Sequence, residues 1–243
     1  MGIVSANTLF HFTPKLEYLE GILKSDFIPS YNLEKIVLGN YSLKFGIPMV
    51  CFCDIPLSSI SKHLDKYGQY AIGMSTKWAD SKKLNPVLYI KKNSTLSKQL
   101  WYLLGEIFLN NEGENQKLGM VTADIIRYLK AFEGQISSKT RRNKKLSIKF
   151  YDEREWRYVP DFNKIGKKGL LSQGNFAKLK NKFLPKHKLS FTPKDIKYLI
   201  VSTEKEISSL IKSIKESKEN YSYKDVELLH SRIMTVDQIK SDF

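Results

Sequence analysis

The residues best suited to chemistry lie close together in one short segment, residues 150–160 of a 243-residue chain. Glu153 and Glu155 stand there between aromatic residues and arginines. Side chains two positions apart on a β-strand point to the same face, so these two carboxylates would lie side by side. Two carboxylates held together repel each other unless a cation or a substrate compensates them. The spacing therefore indicates either a functional site or a structural ion network with Arg154, Arg157 or nearby lysines.

A single histidine, His11, stands near the end of the first predicted strand, residues 7–13. Thr13 and Pro14 follow, and this pair is typical of a helix N-cap with a proline in the first turn. An imidazole at the end of a strand can bind a ligand, or it can be an ordinary core histidine that satisfies its own hydrogen bonds. Both interpretations of His11 stay open at this stage.

The cysteines and the remaining histidines do not indicate a metal site. Cys51 and Cys53 lie two apart on an apolar run, where a disulfide would be badly strained, so we expect buried, reduced thiols. The four histidines are scattered, and no metal is expected. No apolar stretch has the length of a membrane span, and the N-terminus does not resemble a signal peptide. We therefore expect a cytoplasmic protein with no membrane partner.

Composition and charge suggest a globular protein with a polyanionic partner. The chain is 42% hydrophobic, which is enough for a sizeable core, and we expect a single domain over residues 1–243. Its 40 basic and 25 acidic side chains give a net charge of +15, which favours RNA, DNA or an acidic protein, or else only keeps the chain soluble. A basic loop is predicted at 137–149. Its candidate nucleic-acid-binding residues are Lys139, Arg141, Arg142, Lys144 and Lys145.

Hydrophobic periodicity predicts an α+β protein. Short strands are expected at residues 7–13, 48–54, 69–75, 86–90, 188–191, 196–202, 226–229 and 233–235. Between the first two strands come a helix and then a loop containing Pro29 and Asn32. Residues 94–133 show helical periods and are predicted to form a helical insertion. Thr203 and Glu206 have the spacing of a capping box, so a helix is expected from there to about residue 218. Because the helices cluster and do not alternate with the strands, the class is α+β.

The order of these landmarks resembles the AbiGi-type family of abortive phage infection proteins, over residues 8 to 240. The matching runs are Leu-Phe-His-Phe-Thr, Gly-Ile-Leu, Met-Val-Cys-Phe-Cys-Asp-Ile-Pro-Leu-Ser, Tyr-Gly-Gln-Tyr-Ala-Ile-Gly-Met-Ser, Glu-Arg-Glu-Trp-Arg and Asp-Ile-Lys-Tyr-Leu-Ile-Val. Such proteins are described as antitoxins of a two-gene defence system, which implies a partner toxin and no catalysis. More distantly the sequence resembles the ADP-ribosyltransferase fold, a split core of two small sheets.

The second resemblance implies NAD as a co-substrate and assigns catalytic roles. Glu155 would stabilise the oxocarbenium-like charge that develops on the ribose when the nicotinamide bond breaks. Glu153 would orient or deprotonate the acceptor, because a neighbouring carboxylate raises its pKa. His11 would bind a ribose hydroxyl. The middle residue of that fold's catalytic triad has several candidates here, and none of them is selected.

The same resemblance implies a cofactor-binding set of His11, Thr13, Tyr67 and Tyr70. The two tyrosines would stack on the nicotinamide or adenine ring, or else they are ordinary packing residues. Two functions follow. One is a transferase-like effector that acts on nucleic acid or protein, and the other is a non-enzymatic antitoxin or sensor that binds nucleic acid or a partner toxin.

Overall fold

The computed structural model describes residues 7–109, 116–137, 145–179, 182–217 and 221–242. The strands are β1 Thr8–Thr13, β2 Ser30–Leu38, β3 Tyr41–Cys53, β4 Tyr70–Ser75, β5 Asn85–Pro86, β6 Leu88–Ile90, β7 Leu129–Ala131, β8 Glu133–Ser137, β9 Lys145–Lys149, β10 Glu155–Tyr158, β11 Leu171–Ser172, β12 Ile196–Val201 and β13 Ile233–Thr235. The helices are α1 Leu16–Ser25, α2 Ser61–Tyr67, α3 Thr76–Ser81, α4 Thr95–Leu109, α5 Gln116–Ile126, α6 Phe162–Ile165, α7 Gln173–Leu179, α8 Ile207–Ser217, α9 Tyr223–His230 and α10 Val236–Asp242.

These elements divide into two compact units. The first comprises Met1–Ile28, Val50–Leu84 and Pro185–Phe243, and the second comprises Pro29–Met49 and Asn85–Leu184. The α+β class is confirmed, since helices and strands occur in both units. The single domain over residues 1–243 and the ADP-ribosyltransferase-like core stay predictions.

The first unit is built on a sheet whose strands follow the order β13, β12, β4, β1 and the end of β3. Strand β1 pairs antiparallel with β4 along its whole length, and Phe10 lies opposite Cys53 of β3. Strand β12 is antiparallel to β4 and parallel to β13. Apolar side chains from the strands, from α2 and from α10 form one core cluster, which includes Phe10, Leu64, Ile200 and Ile239.

Three helices of the first unit begin with the polar residues that such positions favour. Thr203 and Glu206 form the predicted capping box just before α8, where the Thr203 backbone N–H donates to the Glu206 carboxylate at 2.9 Å. Ser222 and Asp225 form a second box at the start of α9. Ser75 caps α3 by accepting a hydrogen bond from the backbone N–H of Trp78. These contacts satisfy N–H groups that would otherwise lack a partner at a helix start.

The second unit contains a long hairpin and several small strand pairs. Strand β2 pairs antiparallel with β3 from Ser30↔Met49 to Leu38↔Tyr41, and β11 joins the first half of β3. Strand β10 pairs with β5, β6 runs parallel to β7, and β8 pairs with β9. The hairpin, β6, β7 and the two long helices share a core cluster of Ile36, Leu38, Ile90, Leu104, Ile126 and Leu129.

The structure corrects several local predictions. Residues 188–191 were expected to form a strand, but there only Leu189 makes an isolated β-bridge, with Phe27. The segment expected to be a loop around Asn32 is strand β2, which turns through Gly39 and Asn40 into an extended β3. Residues 226–229 belong to helix α9 and not to a strand, because the capping box at Ser222 starts a helix there. Residues 145–149, expected within the basic loop, form β9 and pair with β8. The helical structure predicted within residues 94–133 is present as α4 and α5, and the end of that range forms β7.

Candidate functional site

The acidic segment is not one continuous strand. Residues 150–153 form a 3-10 turn, Arg154 takes a left-handed backbone with φ 45° and ψ 51°, and β10 begins at Glu155. A left-handed conformation is uncommon for a residue other than glycine, and it bends the chain between the two glutamates. Glu153 and Glu155 are nevertheless both buried, at 6% and 4% exposure. The carboxylates thus point inward together, through a kink and not through strand alternation.

Lys130 on β7 holds the two carboxylates together. Its Nζ lies 2.9 Å from Glu153 Oε2 and also pairs with Glu155 Oε2. One ammonium group therefore bridges two acids and offsets the repulsion between them. The side chain of Lys130 is only 13% exposed, so its charge is largely removed from water as well.

Arg157 is the second cation of this cluster, and its side chain is fully buried. Its Nε donates to Glu155 Oε1, its Nη2 lies 2.9 Å from Glu34 Oε1, and its Nη1 donates to the carbonyl oxygen of Arg127 at 2.9 Å. Both oxygens of Glu155 are therefore engaged, one by Arg157 and one by Lys130. Three carboxylates and two cations make up this cluster, which we call the Glu155 network: Glu34, Lys130, Glu153, Glu155 and Arg157.

Electrostatics keep the Glu155 network charged. Burial by itself would raise the pKa of Glu155, but Arg157 and Lys130 outweigh it and lower that pKa to about 2. Burial would lower the pKa of Lys130, and the carboxylates of Glu155, Glu34 and Glu153 raise it above its usual value. A general acid or base needs a pKa near the working pH, and neither shift moves its group in that direction.

The aromatic ring of Tyr89 lies next to Glu155 and packs against further rings. The Tyr89 hydroxyl accepts a hydrogen bond from the backbone N–H of Glu155 at 2.8 Å, and burial raises the pKa of Tyr89. The Tyr89 ring meets Tyr151 edge to face at a centroid distance of 5.3 Å, and Tyr151 stacks on Phe132 at the same distance. Tyr89 therefore connects the backbone of Glu155 to a small group of stacked rings.

His11 lies in the first unit, within an aromatic environment. Its Nδ1 is 2.8 Å from the carbonyl oxygen of Cys51, and because a carbonyl only accepts, Nδ1 carries the proton. Phe27 and Phe52 pack against the ring at centroid distances of 5.3 and 5.6 Å. Burial lowers the pKa of His11, and the hydrogen bond to Cys51 opposes this only in part. The geometry matches a neutral, partly buried histidine that holds β1 to the end of β3.

A pH titration should identify His11 as a group that is neutral in the folded state. Because its folded pKa lies below the ordinary 6.5, the unfolded chain binds more protons, and stability falls as the pH drops below 6.5. The loss can reach about 1.4 kcal/mol per pH unit. In His11→Asn, whose amide can still donate to Cys51, urea unfolding at several pH values between 7 and 5 should show a smaller loss. Parallel curves for parent and variant would contradict this.

The other predicted cofactor-binding residues of the first unit are held by protein groups. Thr13 is buried, and its hydroxyl donates to the carbonyl oxygen of Lys15 at 3.2 Å. Tyr67 stacks near Phe12, with Lys66 Nζ 4.7 Å from its ring centroid. Tyr70 donates its hydroxyl to Glu206 Oε1 at 2.6 Å, and burial together with that carboxylate raises the pKa of Tyr70 to about 12. Their roles toward NAD stay predictions.

The predicted nucleic-acid-binding residues fall mostly outside the described part of the chain. Lys139, Arg141, Arg142 and Lys144 lie in the stretch 138–144, between strands β8 and β9. Lys145 is the first residue of β9 and lies opposite Ser137. Their contribution to binding therefore stays a prediction.

The thiols and possible metal ligands give no further site among the described residues. Cys53 is buried and Cys51 partly so, and neither forms a disulfide bond in the structure. No group of three or more histidine, cysteine, aspartate or glutamate side chains is close enough to hold a metal ion within the ranges that the structure covers.

Sequence reasoning found Glu153, Glu155 and Arg157 of the Glu155 network and missed Lys130 and Glu34. Lys130 was placed in the helical insertion, although it stands between the buried residues Leu129 and Ala131, an alternation typical of a short strand. Glu34 lies within the unrecognised strand β2 and shares a face with Ile36 and Leu38, which was the available signal. The geometry resembles the second interpretation that the spacing of the two acids allowed, a structural ion network.

Comparison with known proteins identifies the family. A family model described as "Putative abortive phage resistance protein AbiGi, antitoxin" matches residues 25–202. The abortive phage resistance protein AbiGi of Lactococcus lactis subsp. cremoris is 32% identical over 250 residues, which cover 89% of this chain and 99% of that protein. No solved structure matches the chain. Within the described ranges, no helix combines the length and the apolar character that crossing a membrane requires. The chain belongs to the AbiGi family of abortive phage resistance proteins.

Proposed function

We propose that this protein works in phage defence as a non-catalytic antitoxin, which acts by binding a partner toxin. Family membership supports the defence role, since both the family model and the lactococcal relative are described as abortive phage resistance proteins, and the model adds the word antitoxin. The transferase alternative depends on Glu155 and Glu153 reaching a substrate. The accessibility of these two carboxylates is therefore the reason why we favour the non-catalytic function.

The observation that carries the proposal is the engagement of Glu155. A carboxylate that assists glycosyl transfer must approach the ribose and strengthen its contact as positive charge develops there. Glu155 is 4% exposed, and each of its oxygens is bonded to a cation of the same chain. A substrate would have to displace Lys130 or Arg157 and leave a buried charge uncompensated, which is costly. Such a network stabilises a fold and is poorly suited to catalysis.

The charge of the chain suggests what kind of surface the partner presents. A net charge of +15 attracts acidic surfaces and accelerates their association at low salt. An acidic face on the toxin would fit this charge, and the affinity would then fall as salt is added. RNA or DNA is the alternative polyanionic partner, and it would bind through the basic residues between β8 and β9. In that case, added nucleic acid should compete with the toxin for binding to this protein.

Incubation with labelled NAD tests the non-catalytic half of the proposal. We expect neither nicotinamide release nor label transfer to RNA, DNA or lysate proteins. Glu155→Gln should instead lower the thermal stability, because Arg157 and Lys130 lose a charged partner. The matched control is Asp152→Asn. The Asp152 side chain is 68% exposed, so this change should leave the thermal stability almost unchanged. NAD turnover that Glu155→Gln abolishes without any loss of stability would establish the enzyme.

Toxin neutralisation tests the binding half in cells. Co-expression with the partner toxin should restore growth, and Glu155→Gln should still restore it at a temperature where the variant stays folded. Growth that is lost with this folded variant would mean that the carboxylate itself acts. If neither the parent nor Glu155→Gln restores growth, the antitoxin role is wrong.

A further inference from the structure

Two lysines lie opposite each other on the hairpin of β2 and β3. Lys35 is the direct partner of Lys44 in the antiparallel register, and both side chains are exposed. Like charges in directly opposed positions destabilise a pair of strands. No acid of the described residues forms a salt bridge with either lysine. The hairpin therefore holds two neighbouring cations that the described part of the chain does not neutralise.

These two lysines point away from the core cluster of the second unit. Ile36 of β2 is buried in that cluster, and Leu43 and Phe45 of β3 pack against it. Because side chains alternate along a strand, Lys35 and Lys44 project from the opposite side of the hairpin. We call this side the outer face of the hairpin.

A second basic segment packs on the outer face. Tyr31 and Gly46 belong to this face, because each lies an even number of residues along its strand from the lysine there. The Tyr31 hydroxyl donates to the backbone carbonyl oxygen of Lys168 at 2.9 Å. A Cβ atom on Gly46 would lie 2.7 Å from the ring of Phe176 in α7. These two contacts place the chain around Lys168 and helix α7 beside the two opposed lysines.

This second segment is rich in cations and contains no acid. Residues 162–184, which we call the lysine segment, include six lysines and no aspartate, glutamate or arginine. Five of the six lie within the described residues, and all five are exposed: Lys164, Lys167, Lys168, Lys178 and Lys182. None of these five forms a salt bridge with an acid that the structure describes. The second unit thus exposes a group of lysines that attracts an anion from outside the chain.

We propose that the outer face of the hairpin and the lysine segment bind the phosphate backbone of a nucleic acid. Lysines contact phosphates as point charges, and such contacts position a strand without reading its bases. A phosphate between Lys35 and Lys44 would also relieve the repulsion across the hairpin. This surface is separate from the basic residues between β8 and β9, and its binding does not depend on the antitoxin role.

The residue types of the lysine segment favour nucleic acid over an acidic protein. The centres of protein–protein interfaces are depleted in lysine and enriched in arginine and aromatic residues. The lysine segment contains no arginine, tyrosine or tryptophan. Phe162 is buried, Phe176 packs on Gly46, and Phe183 is exposed. Spaced cations with few exposed apolar neighbours match the regular row of charges on a nucleic-acid strand.

Fluorescence anisotropy tests the proposal with two labelled probes of mixed sequence, a short DNA duplex and a single-stranded RNA. At about 50 mM salt the parent should bind at least one of them, and the logarithm of its affinity should fall linearly with the logarithm of the salt concentration. Lys35→Gln/Lys44→Gln and Lys167→Gln/Lys168→Gln should each weaken binding on the order of tenfold and reduce this slope by about 2. The probe that binds more tightly identifies DNA or RNA as the preferred source of the phosphates.

A stability measurement and a matched control separate binding from folding and from net charge. Lys35→Gln/Lys44→Gln should melt at the same temperature as the parent or slightly above it, because the repulsion between the two strands is removed. The control is Lys197→Gln/Lys205→Gln, which removes two exposed lysines of the first unit. This control should keep nearly the affinity and the salt slope of the parent.

The proposal is overturned if neither probe binds at about 50 mM salt. It is also overturned if the control loses as much affinity as the hairpin variant, because binding would then follow net charge alone. Displacement of the probe by polyglutamate as readily as by unlabelled nucleic acid would show that the surface recognises acidic proteins equally well, and it would overturn the assignment to nucleic acid.

Discussion

Replacing Arg157 with methionine is expected to lower the free energy of unfolding by about 3–5 kcal/mol. The guanidinium is fully buried and contacts Glu155, Glu34 and the carbonyl oxygen of Arg127. Methionine resembles the side chain in length, but it removes the guanidinium from Glu34 and from one oxygen of Glu155, which keeps only its contact with Lys130, in a region with little water. Breaking a buried ion pair by removing one partner costs far more than the net value of the intact pair. Urea unfolding followed by circular dichroism measures the change.

An exposed ion pair of the same unit provides the control. Lys149 Nζ lies 3.7 Å from Asp152 Oδ1, and these side chains are 50% and 68% exposed. Lys149→Met should change the stability by no more than about 1 kcal/mol, because water and salt already screen this pair. Similar losses of stability in Arg157→Met and Lys149→Met would mean that burial does not raise the cost of removing a cation. That result would contradict the interpretation of the Glu155 network as a buried structural element.

A double-mutant cycle then shows whether Arg157 acts through Glu155. If the two side chains stabilise each other, Arg157→Met/Glu155→Gln should cost less than the sum of the single changes, since the neutral amide no longer needs a cation. Contacting residues in one network show couplings of about 0.5–3 kcal/mol. Additive losses would assign the effect of Arg157 to its other contacts, with Glu34 and with the carbonyl oxygen of Arg127.

The sequence predicted those parts of the fold that depend on local chemistry. The capping box of Thr203 and Glu206 lies at the predicted place, because a hydroxyl and a carboxylate three residues apart satisfy helix N–H groups whatever surrounds them. The end of β1 agrees with the predicted strand, but α1 begins at Leu16 with Lys15 as its N-cap, so the prediction of Thr13 as the N-cap and Pro14 in the first turn was wrong. Strand β2 was missed, although Gly39 and Asn40 form a two-residue hairpin turn between alternating residues.

The site was harder to predict because its residues meet through tertiary contacts. Glu153 and Glu155 were recognised as a pair from their spacing, yet what brings them together is the left-handed backbone of Arg154 and the ammonium group of Lys130. Neither follows from a local pattern, since Lys130 comes from a three-residue strand more than twenty residues earlier in the chain. Sequence could indicate that the acids needed compensation, and only the fold shows which cations supply it.

The second large effect on stability is expected from substitution of Gly68. This glycine lies in the aromatic landmark around Tyr67 and Tyr70 and makes a close contact with the backbone of Thr13 and Pro14. It follows helix α2 with φ +134°, a conformation that strains any residue with a side chain. A Cβ atom at this position would lie 2.2 Å from the carbonyl oxygen of Thr13 and 2.4 Å from the Cα of Pro14. Both atoms are backbone, at the end of β1, so they cannot turn aside as a flexible side chain would. The aromatic landmark around Tyr67 and Tyr70 therefore needs glycine at this position for a structural reason.

Gly68→Ala should lower the free energy of unfolding by roughly 2–6 kcal/mol, from backbone strain and steric overlap of about 1–3 kcal/mol each. The matched control is Gly21→Ala in the interior of α1, in the same unit, where an added Cβ meets nothing within 4 Å. That change should raise the stability by about 0.5–1 kcal/mol, because alanine favours a helix. Urea midpoints that move in opposite directions are expected. A Gly68→Ala variant as stable as the parent would contradict this prediction. It would mean that the end of α2 lies farther from the end of β1, and that Tyr67 and Tyr70 have different surroundings.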